Sequence, residues 1–408
     1  MPVAGVVGIE VDADRHAAHA PRYHWIDIGH PGHIRVVVGR GEDQGLAGSI
    51  HDVDCGTLAC METESNDAFA IRVCAWQAAH GRHDLPWQGR DAYAVWVSEI
   101  MLQQTQVETV IPYYQRFMAR FPDLATLAAA SIDEVLGLWS GLGYYARGRN
   151  LHRAAQKMAA HGGGFPADFS AIADLPGVGR STAGAIAALA LGERHAILDG
   201  NVRRVLCRVF GVEGWPGETT VQARLWTLAE ALLPNAADIR PYTQGLMDFG
   251  ATLCTRSRPR CAQCPLRDGC VAARENRQAE LPQSRPRKVL AMRHTGLLIL
   301  HQAGQILLER RPSNGIWGGL WSLPEIEPNT PVAQIEQRFD ADLDELPEMD
   351  AFIHTFSHFR LNIRPRRFAV RRWPLCEALP GQIWLQFEDL AGAALPAPVR
   401  LILERERL

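Results

Sequence analysis

The sequence predicts a mainly helical domain followed by a smaller α+β domain, joined through a cysteine-rich loop and a linker. Three observations predict it. From about Ile71 to Leu253 apolar residues recur every three to four positions, the period of one helix face. Beyond Arg293 the period falls to two, the alternation of a half-buried strand. Between these regions "NRQAELPQSRPRKVLAMRHT" is polar, basic and proline-containing, a composition suited to a linker. With 408 residues and 47% hydrophobic content, the chain is long enough to bury two or three cores.

In chain order, residues 1–66 read as a poorly ordered extension, because they combine six histidines with scattered glycine and aspartate and no helical period. Periodic sequence starts soon after Met61, which is read as the natural start; an intact mass for all 408 residues of the native protein contradicts that reading. Residues 67–253 form the helical core, broken at "HDLPWQGRD", "SGLGYYARGRN", "HGGGFPADFS", "DLPGVGR" and "LGERHAILDGN". Residues 254–275 form the cysteine loop, 276–292 the linker and 293–408 the α+β domain. Within the last, "GLLILHQAGQILLERR" reads as a hairpin, "GIWGGLWSLPE" as a turn and strand, and "FSHFRLNIRPRRFAVRRW" as two strands.

The formal charge of −3 leaves a polyanionic partner open. Locally, Cys254 to Pro312 holds twelve Lys or Arg against four Asp or Glu, a stripe that can track a phosphate backbone or simply be a solvated face. No run approaches the roughly 18 apolar residues of a membrane span, and no basic-then-apolar leader opens the chain, so a cytoplasmic protein is expected.

Four of the nine cysteines, Cys254, Cys261, Cys264 and Cys270, are separated by six, two and five residues. Four thiols in one loop of a cytoplasmic chain favour a metal site over disulfides, and spacing alone leaves iron–sulfur and zinc open. The other five are scattered and read as ordinary residues.

In "LPGVGRSTAGAI" a Gly-x-Gly turn runs into a helix, so Gly177 and Gly179 let amides converge on an anion at a helix N-terminus. The blander reading is a corner capped by Ser181 or Thr182. Glu99 sits on a helical pattern beside Val95, Trp96 and Leu102, where desolvation raises its pKa and keeps a proton available for general acid work. Asp199 opens a helix beside Gly200 and Asn201, where amides and the helix dipole favour its charged form. Two carboxyls pushed apart in this way suit cleavage at an anomeric carbon.

Together these blocks resemble the MutY-type adenine DNA glycosylases of the helix-hairpin-helix superfamily. The match runs from about Cys74 to Leu408 and includes "LPWQ", "SEIMLQQTQVETVIPYY", "GLWSGLGYYARGRNLH", "LPGVGRSTAGAI", "LDGNVRRVL", the cysteine loop, "GIWGGLW" and "HTFSHF". The resemblance implies a mainly α helix-hairpin-helix glycosylase domain with a [4Fe-4S] cluster on the four cysteines, and a C-terminal Nudix-like domain. No REx2Ex2E box is present, so that domain reads as a recognition module. It implies removal of adenine mispaired with 8-oxoguanine or guanine in double-stranded DNA by a monomer associated with the nucleoid. Glu99 would protonate adenine N7, Asp199 would stabilise the sugar cation, and Asn201 would support them. Gln103, Gln104 and Tyr144 would contact or wedge beside the lesion, and Gly177, Gly179 and Ser181 would meet the DNA backbone. Phe356, Ser357 and His358 would identify 8-oxoguanine.

Endonuclease III relatives carry a Schiff-base lysine where this chain has Ser181, and the only lysines are Lys157 and Lys288, so a monofunctional enzyme is expected. Two alternatives stand beside this reading. One is a pyrimidine glycosylase of the same fold; the other is a non-catalytic DNA-binding protein indifferent to substitution at Glu99 and Asp199.

Overall fold

The computed structural model describes residues 7–9, 22–28, 34–40, 66–285, 289–312, 315–374 and 380–406. The chain divides into two units, one ending at Phe69 and one running from Ala70 to Leu408. In the first, strands β1 (Val7–Ile9), β2 (Arg22–Ile28) and β3 (Ile34–Arg40) pair antiparallel in that order. These strands lie within the residues read as an extension without helical period. "IRVVVGR" is a β-branched run, which suits a pleated ladder and is invisible to a search for helical period. Met61, Cys55 and Cys60 lie outside the described residues.

The second unit opens helically. Helices α1 (Asn66–His80), α2 (Ala92–Leu102), α3 (Val107–Arg120), α4 (Leu124–Ala129), α5 (Ile132–Trp139), α6 (Ala146–Ala160), α7 (Phe169–Ala173) and α8 (Arg180–Ile186) are followed by α9 (Gly200–Val209), α10 (Thr219–Ala231), α11 (Ile239–Asp248) and α12 (Val271–Arg274). Their starts are chemically specified: Asp91, Asp123, Asp168 and Asp199 each accept a backbone N–H of the first turn, and Ser131 with Glu134 forms a capping box.

Helix α2 is buried on nearly all sides, with Trp96, Val97, Ile100 and Met101 inaccessible, so it is the central helix and not a surface one. Around it pack Tyr114, Phe117, Trp139, Leu151 and Ile186. Truncating Trp96 to alanine should cost about 3–5 kcal/mol through the cavity it leaves. The buried Ser98 of α2 is satisfied by the Val95 carbonyl at 2.7 Å, and Glu99 is the one charged residue that the helix carries.

In the α+β region, strands β4 (Ala291–Gln302) and β5 (Gln305–Arg310) form the expected hairpin, closed by Ala303 and Gly304 at φ 47° and 77°. Strand β4 starts two residues inside the segment read as linker. Strands β6 (Trp321–Ser322), β7 (Glu325–Ile326), β8 (Asp342–Glu345), β9 (Phe352–Thr355), β10 (Phe359–Arg372) and β11 (Gln382–Gln386) complete one sheet, ordered β11-β5-β4-β10-β8 with β6, β7 and β9 off that path. Helix α13 (Val332–Phe339) buries Ile335 and Phe339 on one face, and α14 (Ala397–Glu406) buries Val399 and Ile402 on the other.

The expectation of two strands in "FSHFRLNIRPRRFAVRRW" is wrong, since residues 359–372 are one strand parallel to β4. Pro365 suggested a break, yet it falls where the other edge changes partner, after β9 ends opposite Arg360–Ile363 and before β8 begins opposite Phe368. A proline lacks only a ladder donor, and there the loss is tolerated.

The two halves are docked. Leu136 packs on Leu320 and Ala394, Arg310 forks onto Asp133 at 2.6 and 3.1 Å, Tyr145 donates to Leu395 O, and Arg400 donates to Ser140 Oγ. Among the described residues no helix is long and apolar enough to cross a membrane.

Candidate active site

Helices α2, α8 and α9 and the turn after α11 enclose a cleft of about 780 Å³. Glu99, Gln103 and Gln104 come from α2 and its exit, Ser181 from α8, and Asp199, Asn201 and Arg204 from α9. The structure therefore brings the two carboxyls, 100 residues apart in sequence, to one space.

Burial pushes the Glu99 carboxyl up to about 8, and the negative charge of Asp199 adds to the rise. Burial also raises Asp199, which corrects the expectation that its helix start alone would hold it below the ordinary range. The expected opposing influences are present: the amides of Val202 and Asn201 donate to it, and Arg204 and Arg203 attract it. Burial outweighs them. Of the two carboxyls, only Asp199 has such donors among the described residues, so the surroundings support its charged form more than that of Glu99.

The main chain around Asp199 is fixed from three sides. Its Oδ1 accepts Val202 N–H at 2.8 Å, and Ser181 Oγ accepts the Leu198 N–H at 2.8 Å. Ser181 thus braces the segment entering the site and does not cap its own helix. Gly179 is the N-cap of α8 with no side-chain bond to the first turn, so neither Ser181 nor Thr182 fills the role assigned by the blander reading.

The third support is arginine. Arg204 donates to Asn201 Oδ1, Gly250 O and Cys254 O at 2.7–2.8 Å, and Arg208, one turn on, donates to Thr255 O, Arg256 O and Leu281 O at 2.7–2.9 Å. Sequence reasoning missed both, although helical spacing after Asn201 signals them: Asn201, Arg204 and Arg208 share one face. Gly250 had no such signal. A Cβ there would stand 2.5 Å from Asn201 Cβ, a closeness that only the fold reveals. Arg82 was also missed; it lines the cleft while Asp248, fully buried, accepts from its Nε and its backbone N–H at 2.8 Å.

Gln103 lines the cleft, and its amide donates to Gly177 O and Thr182 Oγ1 at 3.2 and 3.3 Å, which ties the exit of α2 to the hairpin. Gln104 is exposed and left-handed at φ 58°, and Tyr144, outside the cleft lining, is exposed and left-handed at φ 49°. In the hairpin, Gly177 has φ 82°, whereas Gly179 has φ −96° and open space where a Cβ would stand. The fold alone does not need a glycine at 179.

Phe356, Ser357 and His358 lie away from the cleft, on the tight turn between β9 and β10 closed by Phe356 N–H to Phe359 O. Phe356 stacks on Phe359 at 4.5 Å and meets Trp317 at 5.9 Å, which leaves Ser357 and His358 exposed at the tip.

Cys254, Cys261, Cys264 and Cys270 form no disulfide and line one small apolar pocket with Val209, Phe249 and Leu253. Among the described residues no three ligand side chains converge closely enough on one point to hold a single ion. Burial, then the repulsion of the other three, pushes the Cys264 thiol up to about 12. Four thiols crowded in an apolar space fit a multinuclear cationic group, which would draw off their protons. Arg208 Nη1 donates to Cys254 Sγ at 3.4 Å, the kind of outer bond that orients a ligand.

The basic stripe is smaller than its count. Arg260 and Arg310 are committed to Thr252 O and Asp133, while Arg277 binds Glu213, Glu275 and Glu280. Arg256, at the cleft rim, remains available for a polyanion.

Comparison with known proteins adds a family. Residues 97–231 match the HhH-GPD superfamily of base excision DNA repair proteins, and residues 295–405 match the NUDIX domain. An adenine DNA glycosylase of Buchnera aphidicola is 36% identical over 82% of this chain and 97% of its own length. The Homo sapiens adenine DNA glycosylase is 36% identical over 82% of this chain and 73% of its own. A thermostable thymine-DNA glycosylase structure aligns with 52% of this chain and 97% of its own at 30% identity and a TM-score of 0.47. At 36% identity over 82% of this chain and 97% of the Buchnera relative, the chain belongs to the adenine DNA glycosylase family.

Proposed function

We propose that the protein hydrolyses the N-glycosidic bond of adenine mispaired with 8-oxoguanine or guanine in duplex DNA. The observation that carries this reading is the shared cleft of Glu99 and Asp199, in which burial keeps the proton on Glu99 while donors to the carboxylate face Asp199 alone of the two. A flipped adenosine presents its base to Glu99 and its sugar to Asp199. Glu99 gives its proton to N7, so the C1′–N9 bond breaks with its electron pair leaving on a neutral base. The Asp199 carboxylate stabilises the oxocarbenium ion. Water adds at C1′ and its proton returns to the site, which leaves an abasic sugar and free adenine.

The strand then stays intact. Strand cleavage by β-elimination needs an amine to form a Schiff base with C1′. Ser181 occupies the relevant wall with its hydroxyl bound to Leu198, and no lysine lines the cleft among the described residues. The four cysteines would hold a [4Fe-4S] cluster, which supplies charge and rigidity to the loop between Cys254 and Cys270. The exposed turn bearing Ser357 and His358 would read 8-oxoguanine from the C-terminal domain, and Gln104 with Tyr144 would brace the vacated stack. Gly179 would let a DNA phosphate approach the uncapped amides of α8.

The test is adenine release from duplexes bearing adenine opposite 8-oxoguanine, guanine or thymine, read before and after alkali. Release opposite 8-oxoguanine, with strand breaks only after alkali, is the expected result. No release from any duplex overturns the assignment, and breaks without alkali overturn the monofunctional part. Unaltered release by Glu99→Gln and Asp199→Asn would remove both carboxyls from the chemistry.

A further inference from the structure

The geometry points to Arg147 as the positioning residue that locks the two lesion-facing loops into one rigid piece. Its Nη1 donates to Ile100 O at 3.2 Å, Met101 O at 2.6 Å and Gln103 O, and its Nη2 to Thr105 Oγ1 at 3.1 Å, Leu142 O at 3.4 Å and Gly143 O at 3.1 Å. The first four acceptors belong to the end of α2 and the loop that carries Gln104; the last two belong to the loop that carries Tyr144. The Tyr144 ring rests 5.4 Å from the guanidinium, with the Trp139 ring on it at 5.6 Å.

Three features separate this arginine from an ordinary structural one. It is 8% exposed and has no carboxylate among these bonds, so its charge is met by five carbonyls, the Thr105 hydroxyl and the faces of Tyr144 and Trp139. Burial lowers its pKa to about 10, and the ion still stays charged at neutral pH. Each of the two backbones it holds carries a left-handed non-glycine residue, Gln104 in one and Tyr144 in the other, a conformation that persists only when neighbouring structure dictates it. The carbonyls of Ile100 and Met101 are unpaired ends of α2, and capping them also fixes the turn that follows Glu99. A planar fork can serve both loops at once, and a lysine ammonium cannot.

This inference rests on the reading of Gln104 and Tyr144 as lesion contacts, and it adds that they act as a unit. The test uses full-length wild type, Arg147→Lys and Thr105→Val. Hydrogen exchange is measured at residues 102–107 and 141–146. Arg147→Lys should raise exchange at least tenfold in both loops, and Thr105→Val should raise it at 141–146, in the loop it does not occupy. Single-turnover excision of adenine opposite 8-oxoguanine by Arg147→Lys should fall at least tenfold. Opposite a tetrahydrofuran abasic analogue, where no base pair has to be opened, the deficit should shrink below threefold. Exchange that rises in one loop only or in neither, or an equal deficit on both duplexes, overturns the clamp. If Arg147→Lys does not melt cooperatively, exchange in Thr105→Val decides alone. Wild type that excises from neither duplex overturns the proposed function, and exchange still decides the clamp.

Discussion

Glu99 and Asp199 are the same functional group under similar burial, and the walls that carry them differ in one respect. The α2 wall around Glu99 is packed side chain, with Trp96 and Ile100 as close neighbours in sequence and, among the described residues, no hydrogen-bond donor to the carboxyl. The α9 wall around Asp199 is backbone and arginine, with the amides of Val202 and Asn201 donating to it and the charges of Arg204 and Arg203 attracting it. The difference teaches that the site partitions one proton between two acids by withholding hydrogen bonds from one of them, and that burial only supplies the background.

The severest way to break the comparison is to remove each acid. Glu99→Gln should lower single-turnover excision by roughly 10²–10⁴-fold, the usual worth of a positioned general acid. Asp199→Asn should lose a comparable factor while retaining Val202 N–H capping through its amide oxygen. A variant with near-native rate shows that its wall holds no reagent.

Titration sharpens the comparison next. Excision should decline about tenfold per pH unit once pH passes about 8, as Glu99 gives up its proton, and a flat profile from pH 6 to 9.5 contradicts the proton assignment.

Stability carries the same information with the opposite sign for function. Between the ordinary carboxylate range and about 8 the folded state holds a Glu99 proton that the unfolded chain has released, so its contribution is intact at low pH and lost as pH rises through 8. Glu99→Gln should therefore melt higher than wild type at pH 9, by up to about 5 kcal/mol in free energy, and nearly level with it at pH 5. Equal melting at both pH values says that the carboxyl is solvated.

Smaller effects test the α9 wall. Ser181→Ala leaves the Leu198 N–H without its acceptor and should cost about 1–2 kcal/mol of stability, with a few-fold loss of rate. Gly179→Ala meets no atom and should leave melting unchanged, while the dissociation constant for duplex DNA rises several-fold; unchanged affinity would mean that the hairpin amides touch no phosphate.

Much of this was legible in the sequence. Helical period marked the core, the Asp-Gly-Asn start of α9 marked a cap, and four clustered cysteines marked a shared pocket. What could not be read has physical reasons. Asp199 was expected low because its donors are local and visible in sequence, whereas the burial that overrides them comes from segments as distant as α2. The bonds of Gln103 to Gly177 O and Thr182 Oγ1 could not be read, because those acceptors are over 70 residues away. Pro365 looked like a break because its edge position depends on where two other strands stop. Arg147 gave no hint in sequence, since its partners are mainly backbone carbonyls, which every residue possesses.

The five residues Phe249–Leu253 run from the end of α11 to Cys254; Gly250, Ala251 and Thr252 line the cleft, while Phe249 and Leu253 line the cysteine pocket. Gly250 touches Asn201 on the cleft side, and Cys254 follows at the other end. In a deep mutational scan this stretch should behave as a bottleneck: insertions, deletions and larger residues at 250 should be rejected even when the cysteines and both acids are retained. Catalysis and cofactor loop share those few peptide bonds, and neither can drift without the other.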